Sequence, residues 1–195
     1  MSLASPWSDG SWTNPPASVD NNLAGVLRVT AVESSDAWRH TCYGFVHDTE
    51  HALLRDLAIG RAVEVEFHCN LQAQFDQAGV FLQFDREHWV KSGVERSDGV
   101  DMLGAVVTMG RSDWSTGPVP AWSGRVVTIR LSRAHESVTI RAKVDDGPFQ
   151  LVRVAPTPPG AAARAGPYLC APTRAGFTVD FLSWRETDAD GALHE

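Results

Sequence analysis

The chain predicts an all-β fold, an antiparallel two-sheet jelly-roll sandwich, on three observations. Apolar and polar residues alternate with period two through many short runs, RAVEVEFHCNLQAQ and QAGVFLQF among them. Gly, Pro and Asp-Gly signals separate these runs at regular spacing. Helical periodicity is confined to at most one short piece. For 195 residues with 43% hydrophobic content, such a sandwich is expected as one domain spanning 1–195, with 1–6 and 186–195 as tails.

Trp7 and Trp12 bracket a Ser8–Asp9–Gly10–Ser11 turn, and Asn14-Pro15-Pro16 stops any helix from starting there. Two large indoles near the start predict an edge segment pinned to the body by burial, each indole covering about 150–250 Å². A sugar-stacking platform is the alternative. LAGVLRVTAVES reads as a short strand. AWRHTCYGFVHD reads as a further segment at strand spacing, with Trp38, His40 and Cys42 on one parity and Arg39, Thr41 and Tyr43 on the other. His47, Asp48 and His51 raise a metal reading, but Gly44 and Asp48-Thr49 point to a strand ending in a turn, which separates the two imidazoles. HALLRDLAIG is ambiguous between helical turns and a strand.

RAVEVEFH places Val63, Val65 and Phe67 on one face and Glu64, Glu66 and His68 on the other. The two glutamates are about 6.7 Å apart along a strand, a separation at which a glycosidase pair can bracket a bond. A solvated face is written the same way.

The stretch from Gln74 to Trp114 organises the rest. Val80, Leu82 and Phe84 share one parity, and Gln77, Gly79, Phe81 and Gln83 the other; Val90, Ser92 and Val94 then alternate with Trp89, Lys91, Gly93 and Glu95. A three-residue turn, Asp85 to Glu87, sets Phe84 opposite His88 and puts both apolar sets on one face. A two-residue turn would set Leu82 opposite Lys91 and mix charge into the core, so the first register is predicted. It pairs Gln77 with Glu95 and Phe81 with Lys91. A Ser97-Asp98-Gly99 turn follows, then MLGAVVTM and RSDW. After a Thr116–Pro120 loop come RVVTIRLSR, SVTIRAKV and FQLVRVA, with Asp145–Pro148 turning between the last two. PTPPGAAARAGP reads as a surface loop. YLCAP and GFTVDFLSW follow, with Phe177, Val179, Phe181 and Ser183 on one parity. The last ten residues are expected to fray.

A net charge of −7 without a Lys/Arg cluster argues against nucleic acid and anionic membrane as partners. No run reaches a membrane-spanning length, and the start has neither a basic nor an apolar signal-peptide region, so the cytoplasm is the expected location. Cys42, Cys69 and Cys170 lack zinc or CxxC spacing and are expected to be buried, reduced thiols. No Asp/Asn-rich loop matches a calcium pattern, so neither metal nor cofactor is expected.

In order along the chain, WTNPP, DQAGVFLQFD, HWVKSGVE, VVTMGRSDWS, the DDG turn before LVR, and GPYLCAPTRAGFTVDF resemble the concanavalin A-like "regulation of enolase" family, a domain of unknown function in most of its members. The resemblance runs from Trp12 to Phe181. It implies the concanavalin A-like lectin/glucanase sandwich, in which a concave sheet often holds carbohydrate. The E-x-D-x-x-E signature of the glucanases is missing, since VEVEFHCN lacks the Asp and the third carboxylate.

The predicted polar face carries Gln77, Gln83, Trp89, Lys91 and Glu95. Lys91 and Glu95 are about 13 Å apart between Cα atoms, too far to pair unaided. A buried unpaired charge costs several kcal/mol. Asp113, in the loop after the third strand, and Arg153, on a later strand, are candidate compensating charges, and Trp89 and Trp114 are candidate apolar platforms. Four readings stay open: a structural network that binds nothing; a groove for carbohydrate or a sugar-like metabolite; acid–base catalysis by Glu95, or by Glu64 and Glu66, with Lys91; and regulation through an enolase-like protein partner, to which the family label alone points.

Overall fold

The computed structural model describes residues 7–23 and 25–194. Sixteen strands form among the described residues: β1 (Ser11–Trp12), β2 (Ser18–Leu23), β3 (Val26–Thr30), β4 (Ala37–Arg39), β5 (Val46–Asp48), β6 (His51–Asp56), β7 (Arg61–His68), β8 (Gln77–Gln83), β9 (His88–Ser97), β10 (Val100–Met109), β11 (Ser112–Pro118), β12 (Val126–Arg133), β13 (Ser137–Val144), β14 (Gln150–Pro156), β15 (Arg164–Cys170) and β16 (Thr178–Asp188). They build the predicted antiparallel sandwich. The first sheet has the order β1-β6-β15-β8-β9-β10-β11 and the second β14-β13-β12-β7-β16-β3-β2; β4 and β5 pair only with each other.

Between the sheets lies a core of Val29, Val65, Phe67, Val80, Leu82, Val90, Ile129, Leu131, Ile140 and Phe181, all closed to solvent. Each such side chain stabilises the fold by roughly 1.5–3 kcal/mol. The predicted register holds: Gln77 pairs with Glu95, Phe81 with Lys91 and Leu82 with Val90, and the Phe84 amide donates to the His88 carbonyl at 3.0 Å. Asp98 and Gly99, both at positive φ (52° and 80°), make the two-residue turn that a twisted hairpin needs.

Several expectations are corrected. HALLRD is a strand, and its missing alternation has a cause: Leu53 faces the sandwich core while Ala52 and Leu54 lie in a second apolar cluster on the sheet's other side, so β6 is buried on both faces. PTPPGAAARAGP is a loop only as far as Ala163, and Arg164–Pro167 belong to β15. A bulge between Phe181 and Ser183 reverses the parity of β16, turning Trp184 inward and Ser183 out. The chain does not fray at 186. Strand β16 runs to Asp188, and Arg130 and Arg141 both grip the Asp190 carboxylate. Cys42 is exposed, whereas Cys69 and Cys170 are the buried thiols expected.

The N-terminal indoles are pinned as predicted. β1 pairs with β6, Trp7 stacks on Trp184 (6.3 Å between centroids), and its Nε1 donates to the Gly25 carbonyl. The expected tail, residues 1–6, lies outside the described residues. His51 is no metal ligand: its Nδ1 faces the Asn14 carbonyl (3.1 Å) and its Nε2 accepts from the Val32 amide (3.0 Å). That pattern needs the neutral ring, and burial lowers its pKa accordingly.

Candidate functional site

The outer face of the first sheet carries the polar parity of β8 and β9, with Val106 of β10 and Tyr168 and Cys170 of β15. Lys91 is 3% exposed there. Its Nζ donates to Asp36 Oδ1 (3.0 Å) and Gln77 Oε1 (2.8 Å), and Gln77 Nε2 donates in turn to Asp36 Oδ1 (3.3 Å) and the Phe75 carbonyl (3.3 Å). Asp36 comes from the segment leading into β4, which crosses over this face. Burial works against the Lys91 charge, but Asp36, Cys170 and Glu95 outweigh it and hold its pKa above the ordinary lysine value.

One ammonium serves three carboxyl groups. Burial raises Glu95 to about 7, with Lys91 opposing and Asp36 adding to the rise. Burial likewise raises Glu50 to about 7, against hydrogen bonds from its own backbone and Thr13 and the pull of Lys91. Cys170 interacts electrostatically with Lys91, Asp36, Glu50 and Glu95, which places it among all four. Among the described residues neither the Glu95 carboxyl nor the Tyr168 hydroxyl makes a hydrogen bond, and both residues line a surface cavity; two of the three Lys91 ammonium hydrogens are taken.

Beside this cluster the sheet has no side chains. Gly79, Gly93 and Gly104 lie in register across β8, β9 and β10. A Cβ on Gly93 would sit 2.0 Å from the Ala78 carbonyl oxygen, and one on Gly104 2.3 Å from that of Ser115, so the close strand approach requires glycine. The glycines open a small surface cavity with about 10 Å³ of free space, room for one water-sized group, ringed by Lys91, Glu95, Met102, Trp114, Thr116 and Tyr168. Among the described residues this face has no broader groove, because the segment entering β4 covers the rest.

Of the predicted site residues, Gln77, Lys91, Glu95 and Trp114 come together. Trp89 shares their face but is stacked on Phe81 (5.3 Å) beneath the crossing segment, 4% exposed, so it offers no open platform. Gln83 is at the far end of β8 and accepts from Arg164 (2.7 Å). Asp113 and Arg153 do not compensate Lys91. They pair with each other at 2.8 Å, tying edge strand β11 to β14 of the opposite sheet, because Asp113 has the inward parity. Glu64 and Glu66 lie on the second sheet's outer face, away from Lys91 and Glu95, and accept from Arg130 (2.8 Å) and Ser183 (3.0 Å) respectively. Sequence reasoning missed Asp36, Glu50 and Tyr168. The one local signal was a run of acids, Glu33, Asp36, Asp48 and Glu50, flanking an aromatic-rich turn. Among the described residues no three His, Cys, Asp or Glu side chains are grouped to hold a metal.

The chain is 36% identical over 189 residues to "Regulation of enolase protein 1" of Saccharomyces cerevisiae, covering 96% of this chain and 94% of that protein. A solved structure, a functionally unknown protein from Saccharomyces cerevisiae, superposes with a TM-score of 0.89 at 35% identity over 96% of this chain and all of that one. The Bacteroides ovatus xyloglucan PUL protein GH43B superposes with a TM-score of 0.72 at 14% identity, covering 95% of this chain and 38% of that one, a likeness of fold alone. The family model described as "Protein of unknown function (DUF1349)" matches residues 12–189, and this chain belongs to that family.

Proposed function

We propose that the protein is a non-catalytic binding module whose glycine-floored cavity takes a hydroxyl group of a neutral carbohydrate or sugar-like metabolite. The observation that carries this reading is the half-buried Glu95 carboxyl, without a hydrogen-bond partner among the described residues and on the same face as Lys91 with Gly93 between them. The cavity that both residues line has room for one hydroxyl. A ligand hydroxyl there accepts a charge-assisted bond from Lys91 and makes a second hydrogen bond with the Glu95 carboxyl, contacts that a water would otherwise make. Tyr168 supplies a further donor or acceptor, and Trp114, 39% exposed at the rim, supplies an apolar face for the ring.

The charge balance selects among ligands. Asp36 already neutralises Lys91, and Glu50 and Glu95 add negative charge as they ionise near pH 7, so the site offers no free cation to a sugar acid or phosphate and neutral polyols are favoured. Binding of a panel of neutral mono- and oligosaccharides, read by thermal shift and calorimetry, tests the reading. At least one should bind wild type and lose tenfold or more in affinity in Glu95→Gln and Trp114→Ala, while sugar phosphates bind neither. A panel that leaves wild type unmoved overturns it.

The printed name of the yeast relative supports a second reading, regulation of enolase through direct contact. Co-purification of yeast enolase with this chain at physiological salt, together with a change in enolase turnover on adding it, is the result that reading requires.

A further inference from the structure

We infer that residues 36–48 form a lid over a second, covered half of the same site, and that Lys91 exchanges Asp36 for Glu95 as its counter-ion when the lid lifts. This deepens the binding proposal by assigning the site's regulation. That the covered floor serves the ligand rests on that proposal, whereas the lid itself does not.

The lid is joined to the first sheet by side chains. Strands β4 and β5 form a two-stranded sheet of their own. Beyond packing by Ala37 and Trp38, the hairpin is held by Asp36 on Lys91 and Gln77, by Arg39 on Glu87 (2.7 Å), by the Arg39 amide on Ser112 Oγ (2.9 Å) and by Asn14 on the Asp48 carbonyl (2.9 Å). The seat is imperfect, for Arg39 Nε is buried without an acceptor. Ser34 at its base and His40 and Cys42 in its turn all have positive φ (68°, 61° and 64°), a region that residues with a Cβ rarely occupy.

Beneath it lies an apolar floor in which Phe81 stacks on Trp89 and tilts against Tyr168, with Leu54 and Cys170 alongside. Such stacked rings suit the apolar face of a sugar ring, and the floor meets the open cavity at Lys91 and Tyr168. Lifting the lid takes Asp36 away, and a buried cation without a partner is costly. Glu95 is placed to replace it: same strand, same face, one glycine between, and no hydrogen bond to give up. The carboxyl O–H bond breaks, its proton leaves to water, and the resulting carboxylate balances the Lys91 charge through one bridging water or ligand hydroxyl. The groups facing Glu95 are Lys91 on its own strand, Asp36 on the lid, and Tyr168 and Cys170 on β15, with Glu50 close to Lys91 and Cys170. Upward pKa shifts of Glu95 and Glu50 in the closed state agree with a proton held there until the lid opens.

Two native thiols provide the test. Cys170 lies on the covered floor and Cys69 in the sandwich core, both fully buried, so Cys69 reports whole-chain unfolding. In a Cys42→Ser background, N-ethylmaleimide labelling followed by mass spectrometry should modify Cys170 at least tenfold faster than Cys69. Asp36→Asn and Glu87→Gln should each raise the ratio of the two rates, and Glu95→Gln should lower it several-fold. Glu87 is exposed on the turn between β8 and β9, where it pairs with Arg39 of the lid, so its variant keeps the test intact should Asp36→Asn fail to fold. Equal labelling of the two thiols in every variant, or a ratio untouched by Glu95→Gln, overturns the counter-ion exchange. A neutral saccharide that binds wild type should bind Glu87→Gln several-fold tighter, because more molecules are open; unchanged affinity would remove the covered subsite. A panel without any binding saccharide defeats the preceding reading and leaves the thiol result standing.

Discussion

On the outer face of the second sheet Glu64 sits between Arg130 and Arg185, Asp190 is gripped by Arg130 and Arg141, Asp180 is bridged by Arg28, and Glu66 accepts from Ser183. On the outer face of the first, Lys91 is the one cation among the described residues that acts on Asp36, Glu50 and Glu95 together. Charge of both signs lies on each sheet, yet arginines match acids on one and acids outnumber cations on the other. The matched face ties strands together. The unmatched face keeps a carboxyl without a partner, and hydrogen-bonding capacity left unused is what a ligand can take up.

The largest effect should come from breaking the unmatched face at its centre. Lys91→Met strands Asp36 and the Gln77 carbonyl oxygen in a buried setting and should cost about 3–5 kcal/mol in denaturant unfolding. Arg130→Met on the matched face, nearer to water, should cost about 1–3 kcal/mol. Gly93→Ala should cost about 3 kcal/mol, since the atom its methyl meets is backbone of a central strand and has nowhere to go.

The two faces should also respond to pH in opposite directions. Glu50 and Glu95 have folded-state pKa values near 7, above their unfolded values, so between about pH 4.5 and 7 the folded chain binds more protons than the unfolded chain. Stability therefore falls as pH rises through that window, by at most about 3.5 kcal/mol per carboxyl. On the second sheet, Asp180 is held below the ordinary value by its Arg28 hydrogen bonds, and in Asp190 the bonds from Arg130 and Arg141 outweigh burial. Their contribution is present above an unfolded pKa near 3.9 and lost as pH falls through the folded value. Melting temperature against pH should show both limbs, and Glu95→Gln should flatten the one between 4.5 and 7 while sparing the acid limb. The smallest change should be Glu66→Gln, below about 1 kcal/mol with saccharide binding untouched.

The hairpin register was legible because a one-residue slip would have buried Lys91 opposite Leu82, and alternation in β8 and β9 forbids it. Gln77, Lys91 and Glu95 followed from that parity. Their partner did not. Asp36 reaches Lys91 across 55 residues, through a segment that belongs to neither large sheet, and nothing local in the sequence states which face a crossing hairpin covers. Asp113 and Arg153 were misplaced for the same reason: only the docking of β14 against the edge at β11 shows that they satisfy each other. Trp89 was assigned to the right face, yet its burial depends on that same hairpin. The β16 bulge was hidden because one inserted residue leaves the composition unchanged while inverting which side chains point inward.

The account turns on Glu95 being an unbonded carboxyl, raised to about 7, at the rim of the Lys91 cluster. Carbon-13 NMR titration of the glutamate side-chain carboxyls reads this directly, with Glu95→Gln and Glu50→Gln assigning the signals. Two carboxyls should titrate near pH 7, and the Glu95 signal should move when a binding saccharide is added. Titration of every glutamate near its ordinary value, around 4.3, would contradict the account.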